Sequence, residues 1–121
     1  MTLNDYQEKA MTTCLASCKN EVYAINGLQA EVGEIADKIA KGVRKGICRI
    51  DNNRLVWNTS NEEEVAQYRK ELAMELGDVR WFCSLLALLL GYTDKDIEDM
   101  NIAKLRDRAT RGVIDGNGDH R

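Results

Sequence analysis

Four carboxylates form two pairs, and the two members of each pair stand three residues apart in the sequence. Glu31 and Glu34 make the first pair, and Glu75 and Asp78 make the second. On an α-helix, side chains with this spacing lie on nearly the same face. Carboxylate oxygens are the ligands that Mg²⁺ and Mn²⁺ prefer. The two pairs therefore predict a divalent-cation site, provided that their helices pack in antiparallel order.

Glu75 differs from the other three carboxylates because it falls on an apolar seam. An unpaired charge buried there would cost on the order of 3–5 kcal/mol, so either a positive group lies beside Glu75 or its carboxyl keeps the proton. Gly33 lowers helix propensity by about 1 kcal/mol, which predicts a close approach of a ligand or a backbone. Acidic pairs are also common on solvated helix surfaces, so spacing alone leaves a structural explanation of the two pairs open. Glu71 and Asp37, one turn away, are interpreted as solvated residues outside the site. The seam contains Val65, Tyr68, Leu72, Glu75, Val79, Phe82, Leu86 and Leu89.

A later segment carries the opposite charge. Asn101, Lys104 and Arg108 fall on one side of a predicted helix. Cations near a carboxylate site would suit a polyphosphate substrate, whose charge exceeds what bound metal ions neutralise. Lys and Arg near a helix C-terminus also interact favourably with the helix dipole, which is the simpler explanation. The Gly-rich segment 112–121 is predicted to be a loop, either folded over a phosphate chain or frayed.

The composition excludes several classes of protein. The 121 residues, 44% hydrophobic and 31% charged, are typical of one soluble domain over residues 1–121. A net charge of −3 provides no surface for nucleic acid, and the single histidine, His120, excludes His-based triads and multi-histidine metal sites. The apolar stretch Trp81–Leu90 is far shorter than the roughly 20 residues of a membrane span. The charged residues near Met1 do not fit a signal peptide, so we expect a cytoplasmic protein.

Hydrophobic periodicity predicts four helices. The first covers residues 3–17, and the second covers 21–41 and is ended by Gly42 and Gly46. Residues 47–57 form either a short hairpin or an irregular loop. A capping box of Ser60 and Glu63 starts the third helix, which reaches Leu90, and Thr93 with Asp96 caps the fourth, which reaches Thr110. The second helix presents an apolar stripe toward a neighbour, formed by Ile25, Leu28, Val32, Ile35 and Ile39.

These elements predict an all-α fold, an antiparallel four-helix bundle with the hairpin or loop inserted around residues 47–57. Three segments then match a known family in order. Residues 26–35 (NGLQAEVGEI) resemble the first motif of the MazG-like nucleotide pyrophosphohydrolases, and residues 71–82 (ELAMELGDVRWF) resemble the second. Residues 101–108 (NIAKLRDR) are similar to the segment that follows in many members. The all-α nucleoside triphosphate pyrophosphatase superfamily includes these enzymes.

The resemblance implies hydrolysis of a nucleoside triphosphate, (d)NTP, to the monophosphate and pyrophosphate, with Mg²⁺ as cofactor and Mn²⁺ as a substitute. Similarity to small phage-type members points to a purine such as dGTP. Which carboxylate accepts the proton of the attacking water stays open, with Glu34 as first candidate. The implied roles are metal ligand for Glu31, Glu34, Glu75 and Asp78, catalytic carboxylate for Glu34 and Glu75, and substrate binding for Asn101, Lys104 and Arg108.

Members of this family usually assemble as dimers or tetramers, so a homodimer or homotetramer is expected. The apolar end of the third helix agrees with burial on more than one side. Two alternatives remain open. A dUTPase of the dimeric type would use the same acidic pairs but prefer uracil. A non-catalytic helical interaction module would keep the acidic cluster for stability alone.

Overall fold

The computed structural model describes residues 1–121 and has four α-helices and one two-stranded hairpin, as the predicted all-α fold requires. No helix combines the length and the apolar composition that crossing a membrane would require. A single 3₁₀ turn, Ala16–Cys18, precedes the second helix. The elements in chain order are α1 (Leu3–Met11), α2 (Glu21–Arg44), β1 (Cys48–Asp51), β2 (Arg54–Trp57), α3 (Glu62–Leu89) and α4 (Asp94–Arg111).

The first helix is shorter than predicted, because α1 ends at Met11 and not near residue 17. The hydroxyls of Thr12 and Thr13 donate to the carbonyl oxygens of Lys9 and Ala10, each at 2.6 Å. Such side-chain bonds compete with the helical backbone ladder. Thr13 also accepts a hydrogen bond from the indole of Trp81 at 2.9 Å. The turn after α1 is therefore attached to α3.

The second helix continues past Gly42, which was predicted to end it. Gly42 is buried within α2, where a Cβ would overlap the Tyr68 hydroxyl and crowd the Cys48 thiol. This glycine is needed for close packing and does not terminate the helix. The chain turns at Gly46, where φ is 73°. The helix begins after Asn20, whose side chain accepts a hydrogen bond from the Tyr23 amide.

The insertion between α2 and α3 is a hairpin and not an irregular loop. Strands β1 and β2 pair antiparallel, with Asp51 opposite Arg54 at the turn. Asn52 and Asn53 have φ values of 51° and 62°, and a two-residue type I′ turn requires positive φ at both positions. Asparagine tolerates this conformation better than most residues.

The caps of the last two helices differ in how well local sequence predicts them. The cap of α3 is Asn61 and not Ser60, because the Asn61 side chain accepts from the amides of Glu63 and Glu64. Thr93 and Asp96 form the predicted capping box of α4. The helix α4 ends at Arg111, followed by Gly112 in the left-handed conformation with φ of 72°.

Helices α2 and α3 pack in antiparallel order. The Tyr68 hydroxyl donates to the carbonyl oxygen of Lys38, whereas Phe82, near the other end of α3, lies against Gly27. All eight residues of the predicted α3 seam are buried or half-buried, which confirms the seam. The predicted stripe on α2 is wrong for Ile25 and Val32, which are 46% and 52% exposed. The face toward α3 instead follows residues 24, 28, 31, 35, 38 and 42.

A buried glutamine fastens α1 to the connection between α3 and α4. The Gln7 amide donates to the carbonyl oxygens of Ser84 at 3.1 Å and Tyr92 at 3.3 Å. Its own carbonyl accepts from the Asp94 amide at 2.9 Å. A buried polar side chain with all these partners is stabilising, whereas one without partners would be costly. These bonds fix the start of α4 and, through it, the direction of that helix.

Candidate functional site

Three of the four predicted carboxylates meet between α2 and α3. One carboxylate oxygen from each of Glu31, Glu75 and Asp78 lies within 4.8 Å of the others. The antiparallel packing produces this meeting, because residue 31 of α2 lies opposite the stretch of α3 that contains Glu75 and Asp78. Glu31 and Glu75 are half-buried, and Asp78 is exposed. These three residues are called the acidic group below.

The fourth carboxylate, Glu34, lies outside the acidic group. It is exposed, and it stands one turn along α2 from Glu31. Its negative charge nevertheless contributes to the electrostatics of Glu31. Gly33, beside it, has no neighbouring atom within 4 Å of a Cβ position, so nothing in the chain approaches this glycine closely. Both residues face open space.

The surroundings of the acidic group change the pKa of Glu31. Partial burial raises the pKa of the Glu31 carboxyl above its ordinary value, and the negative charges of Asp78, Glu75 and Glu34 raise it further. A raised pKa means that the folded protein disfavours the ionised form. A bound cation would reverse this effect by favouring that form.

A lysine that the sequence reasoning missed supplies the expected cation beside Glu75. The Lys38 ammonium lies 3.7 Å from a carboxylate oxygen of Glu75. Lys38 follows Glu31 by seven residues, or two helical turns, so both lie on the face of α2 that meets α3. That spacing was the available signal for this residue.

The two neighbouring carboxylates interpreted as solvated residues are engaged elsewhere. Asp37 pairs with Lys41 at 2.6 Å on the exposed side of α2. Glu71 accepts a hydrogen bond at 3.3 Å from Gln67, one turn earlier in α3. Neither belongs to the acidic group.

The predicted phosphate-binding cations do not pair with the acidic group but with segment 112–121. Asp119 accepts from Arg108 at 2.9 Å and from Lys104 at 3.2 Å. Arg108 is nearly buried, with 6% of its side chain exposed. The two cations hold the pKa of the Asp119 carboxyl below its ordinary value. Asn101 is exposed on the same helix.

Segment 112–121 is therefore folded back on α4 and not frayed. Besides the two ion pairs of Asp119, Arg111 donates to the carbonyl oxygen of Arg121. The guanidinium of Arg108 also lies 3.4 Å from the carbonyl oxygen of Gly118. The Asp119 carboxylate is thus bound to Lys104 and Arg108, the two cations that the sequence predicted to bind phosphate.

The acidic group has the donor chemistry of a divalent-cation site. All of its ligand atoms are carboxylate oxygens, which suit Mg²⁺ or Mn²⁺ and not softer metals. The Lys38 ammonium beside Glu75 indicates that this position attracts positive charge. The residues present therefore fit such an ion.

Comparison with known proteins agrees with the motifs. The family model of the MazG nucleotide pyrophosphohydrolase domain matches residues 20–112. The chain is 35% identical over 99 residues to the "Gene 37 protein" of Mycobacterium phage L5, an alignment that covers 82% of this chain and 75% of the phage protein. The name of that relative specifies no activity. No solved structure matches the chain significantly.

The raised pKa of Glu31 predicts how Glu31→Gln changes stability. The ionised Glu31 carboxylate is less stable in the folded protein than in the unfolded chain, and the substitution removes this charge. The variant should therefore have a higher melting temperature than the wild type in EDTA at neutral pH. The advantage should appear as pH rises through the ordinary carboxyl range and be complete above the raised pKa of Glu31. Thermal unfolding between acidic and neutral pH measures it.

Glu8→Gln, on the exposed side of α1 and far from the acidic group, is the control for removal of one carboxylate. Added Mn²⁺ should stabilise the wild type more than the Glu31→Gln variant. Destabilisation of that variant at neutral pH in EDTA would contradict the electrostatic description of the acidic group.

Proposed function

Because the chain belongs to the MazG nucleotide pyrophosphohydrolase family, we propose that it hydrolyses a nucleoside triphosphate in a reaction dependent on a divalent cation. The observation that carries the proposal is the meeting of the Glu31, Glu75 and Asp78 carboxylates between α2 and α3. All three lie within the residues that match the family. In the proposed reaction, water adds to the α-phosphorus, the bond to the bridging oxygen of the β-phosphate breaks, and monophosphate and pyrophosphate leave.

The acidic group would hold Mg²⁺, or Mn²⁺ in its place, with Glu31, Glu75 and Asp78 as ligands and Glu34 as a fourth carboxylate nearby. When bound, such an ion lowers the pKa of a water molecule and neutralises charge on the phosphates. Glu75 is the proposed catalytic carboxylate on α3, since its side chain is only 18% exposed and forms an ion pair with Lys38.

Glu34 is the proposed proton acceptor. It is exposed and does not belong to the acidic group, so its carboxylate is free to take the proton of the attacking water. A base must come within hydrogen-bond reach of the proton that it removes. The position of Glu34 one turn from Glu31 supports this role.

Lys104 and Arg108, with Asn101 on the same helix, would bind the phosphate chain. In the chain alone both cations are engaged by Asp119. A phosphate oxygen and a carboxylate oxygen are alternative partners for the same donors. Substrate would therefore have to replace Asp119.

The proposed substrate is a purine nucleotide such as dGTP. This preference comes from the resemblance to small phage-type members, and the 35% identical relative is itself a phage protein. The protein would not require nucleic acid or a membrane as partners.

The proposed assembly is a homodimer or a homotetramer. The chain alone exposes 8791 Å², whereas a folded monomer of 13.7 kDa exposes about 6,600 Å². The excess is more than the roughly 800 Å² per partner of a standard interface. Exposed apolar side chains on α2 and α4 supply surface for it, among them Val22, Ile25, Val32, Met100 and Ile102.

Replacement of Glu75 by Gln should abolish the proposed reaction, because the neutral amide is a poor ligand for a divalent ion. We expect pyrophosphate release to fall by about 100-fold or more while the helical circular dichroism spectrum persists. The assay compares the common (d)NTPs at equal concentration and identifies both products.

Glu71→Gln is the matched control, one turn earlier in α3 and outside the acidic group. Full turnover by Glu75→Gln would refute the proposed site, and a wild-type preference for dUTP would replace the purine assignment. Stabilisation of the wild type by Mn²⁺ without hydrolysis of any nucleotide would favour the non-catalytic alternative.

Replacement of Asp119 by Asn should lower KM by a few-fold and leave kcat unchanged, because a neutral amide competes less well with phosphate for Lys104 and Arg108. Steady-state kinetics on the preferred nucleotide measures both constants. Asp115→Asn, in the same segment, is the control. An unchanged or higher KM for Asp119→Asn would contradict phosphate binding at this cation pair.

The excess exposed surface predicts that the purified protein associates in solution. Light scattering coupled to gel filtration should give two or four times the mass of one chain. A mass of 13.7 kDa at micromolar concentration would contradict the proposed assembly.

A further inference from the structure

Lys38 is the only cationic side chain that forms an ion pair with the acidic group. Its Nζ lies 3.7 Å from Oε1 of Glu75, and the two side chains are 33% and 18% exposed. Opposite charges attract each other more strongly at such a position than in bulk water. Without a divalent ion, the ammonium therefore offsets part of the repulsion among the three carboxylates.

The backbone at Lys38 is held in place by packing. The Tyr68 hydroxyl donates to the Lys38 carbonyl oxygen, and the Tyr68 ring lies edge-on to Trp57 with centroids 5.0 Å apart. Lys38 is also on the α2 face that packs against α3. The Lys38 side chain therefore extends toward Glu75 from a backbone position that packing holds in place.

A second lysine on α2 provides a contrast. Lys41 pairs with Asp37 on the exposed side of the helix, where both side chains are about half exposed. It carries the same charge as Lys38 and lies less than one turn away, yet it does not contact the acidic group. Lys41 therefore controls for the loss of one positive charge from α2.

We propose that Lys38 is a competitor built into the acidic group: its ammonium pairs with Glu75 and weakens the binding of divalent cations there. The inference rests on the proposed function, because it takes the acidic group to be the cation site. The ammonium and a divalent ion would both use the negative charge of Glu75, so they compete. By Coulomb's law for a partly exposed pair, removing the ammonium should tighten cation binding by about 10-fold.

The test compares Lys38→Met with Lys41→Met in the full chain, using Mn²⁺ as the probe and no nucleotide. Isothermal titration should show about 10-fold tighter Mn²⁺ binding for Lys38→Met and wild-type binding for Lys41→Met. In EDTA, Lys38→Met should unfold at a lower temperature than both the wild type and Lys41→Met, because the three carboxylates lose their nearby positive charge. Lys38→Arg should restore both properties toward wild type.

Two results would overturn the inference while leaving the proposed function intact. One is the same Mn²⁺ affinity for Lys38→Met and Lys41→Met, and the other is weaker Mn²⁺ binding by Lys38→Met than by the wild type. Failure of the wild type to bind Mn²⁺ would overturn both. Should Lys38→Met not fold in EDTA, Lys38→Gln is titrated in its place, with the same tightening expected and the same results overturning it.

Discussion

The mutual repulsion of three carboxylates held between two packed helices is the interaction that the rest of the structure must accommodate. Glu31, Glu75 and Asp78 approach one another because α2 and α3 are antiparallel and in close contact. Carboxylates that come this close destabilise each other unless positive charge is present. Lys38 supplies part of that charge within the chain. The remaining imbalance explains why the same place suits a divalent ion.

Small residues on α2 make the close approach of the two helices feasible. At Gly27 a Cβ would overlap the Phe82 ring, and at Gly42 it would overlap the Tyr68 hydroxyl. These two contacts lie on either side of the acidic group along the helix pair, so they fix the distance between α2 and α3 where the carboxylates meet. Gly33 does not have this role, since nothing in the chain lies near it.

Features set by local chemistry could be predicted from the sequence. The capping box of Thr93 and Asp96 depends on neighbouring residues alone. The hairpin turn at Asn52 and Asn53 is local as well, although the sequence left an irregular loop open as the alternative. The end of α1 at Met11 was harder to predict, because the Trp81 indole donates across the fold to the Thr13 hydroxyl just beyond the helix. The outward position of Val32 depends on which side of α2 meets α3. A rotation of α2 about its axis by roughly a few tens of degrees is enough to move a residue such as Val32 from the contact face to the exposed side.

The candidate site divides in the same way. Spacing and motif brought out the carboxylates, but the separation of Glu34 from the others and the role of Lys38 depend on the rotation of α2 against α3. The engagement of Lys104 and Arg108 by Asp119 depends on a loop that returns along α4. No periodicity in the sequence encodes that return.

The most direct test of the central claim is a crystal grown with Mn²⁺, in which anomalous scattering locates the ion without reference to activity. We expect a peak between α2 and α3, coordinated by carboxylate oxygens of Glu31, Glu75 and Asp78. A fully occupied Mn²⁺ bound elsewhere, with these three carboxylates turned toward solvent, would contradict the account.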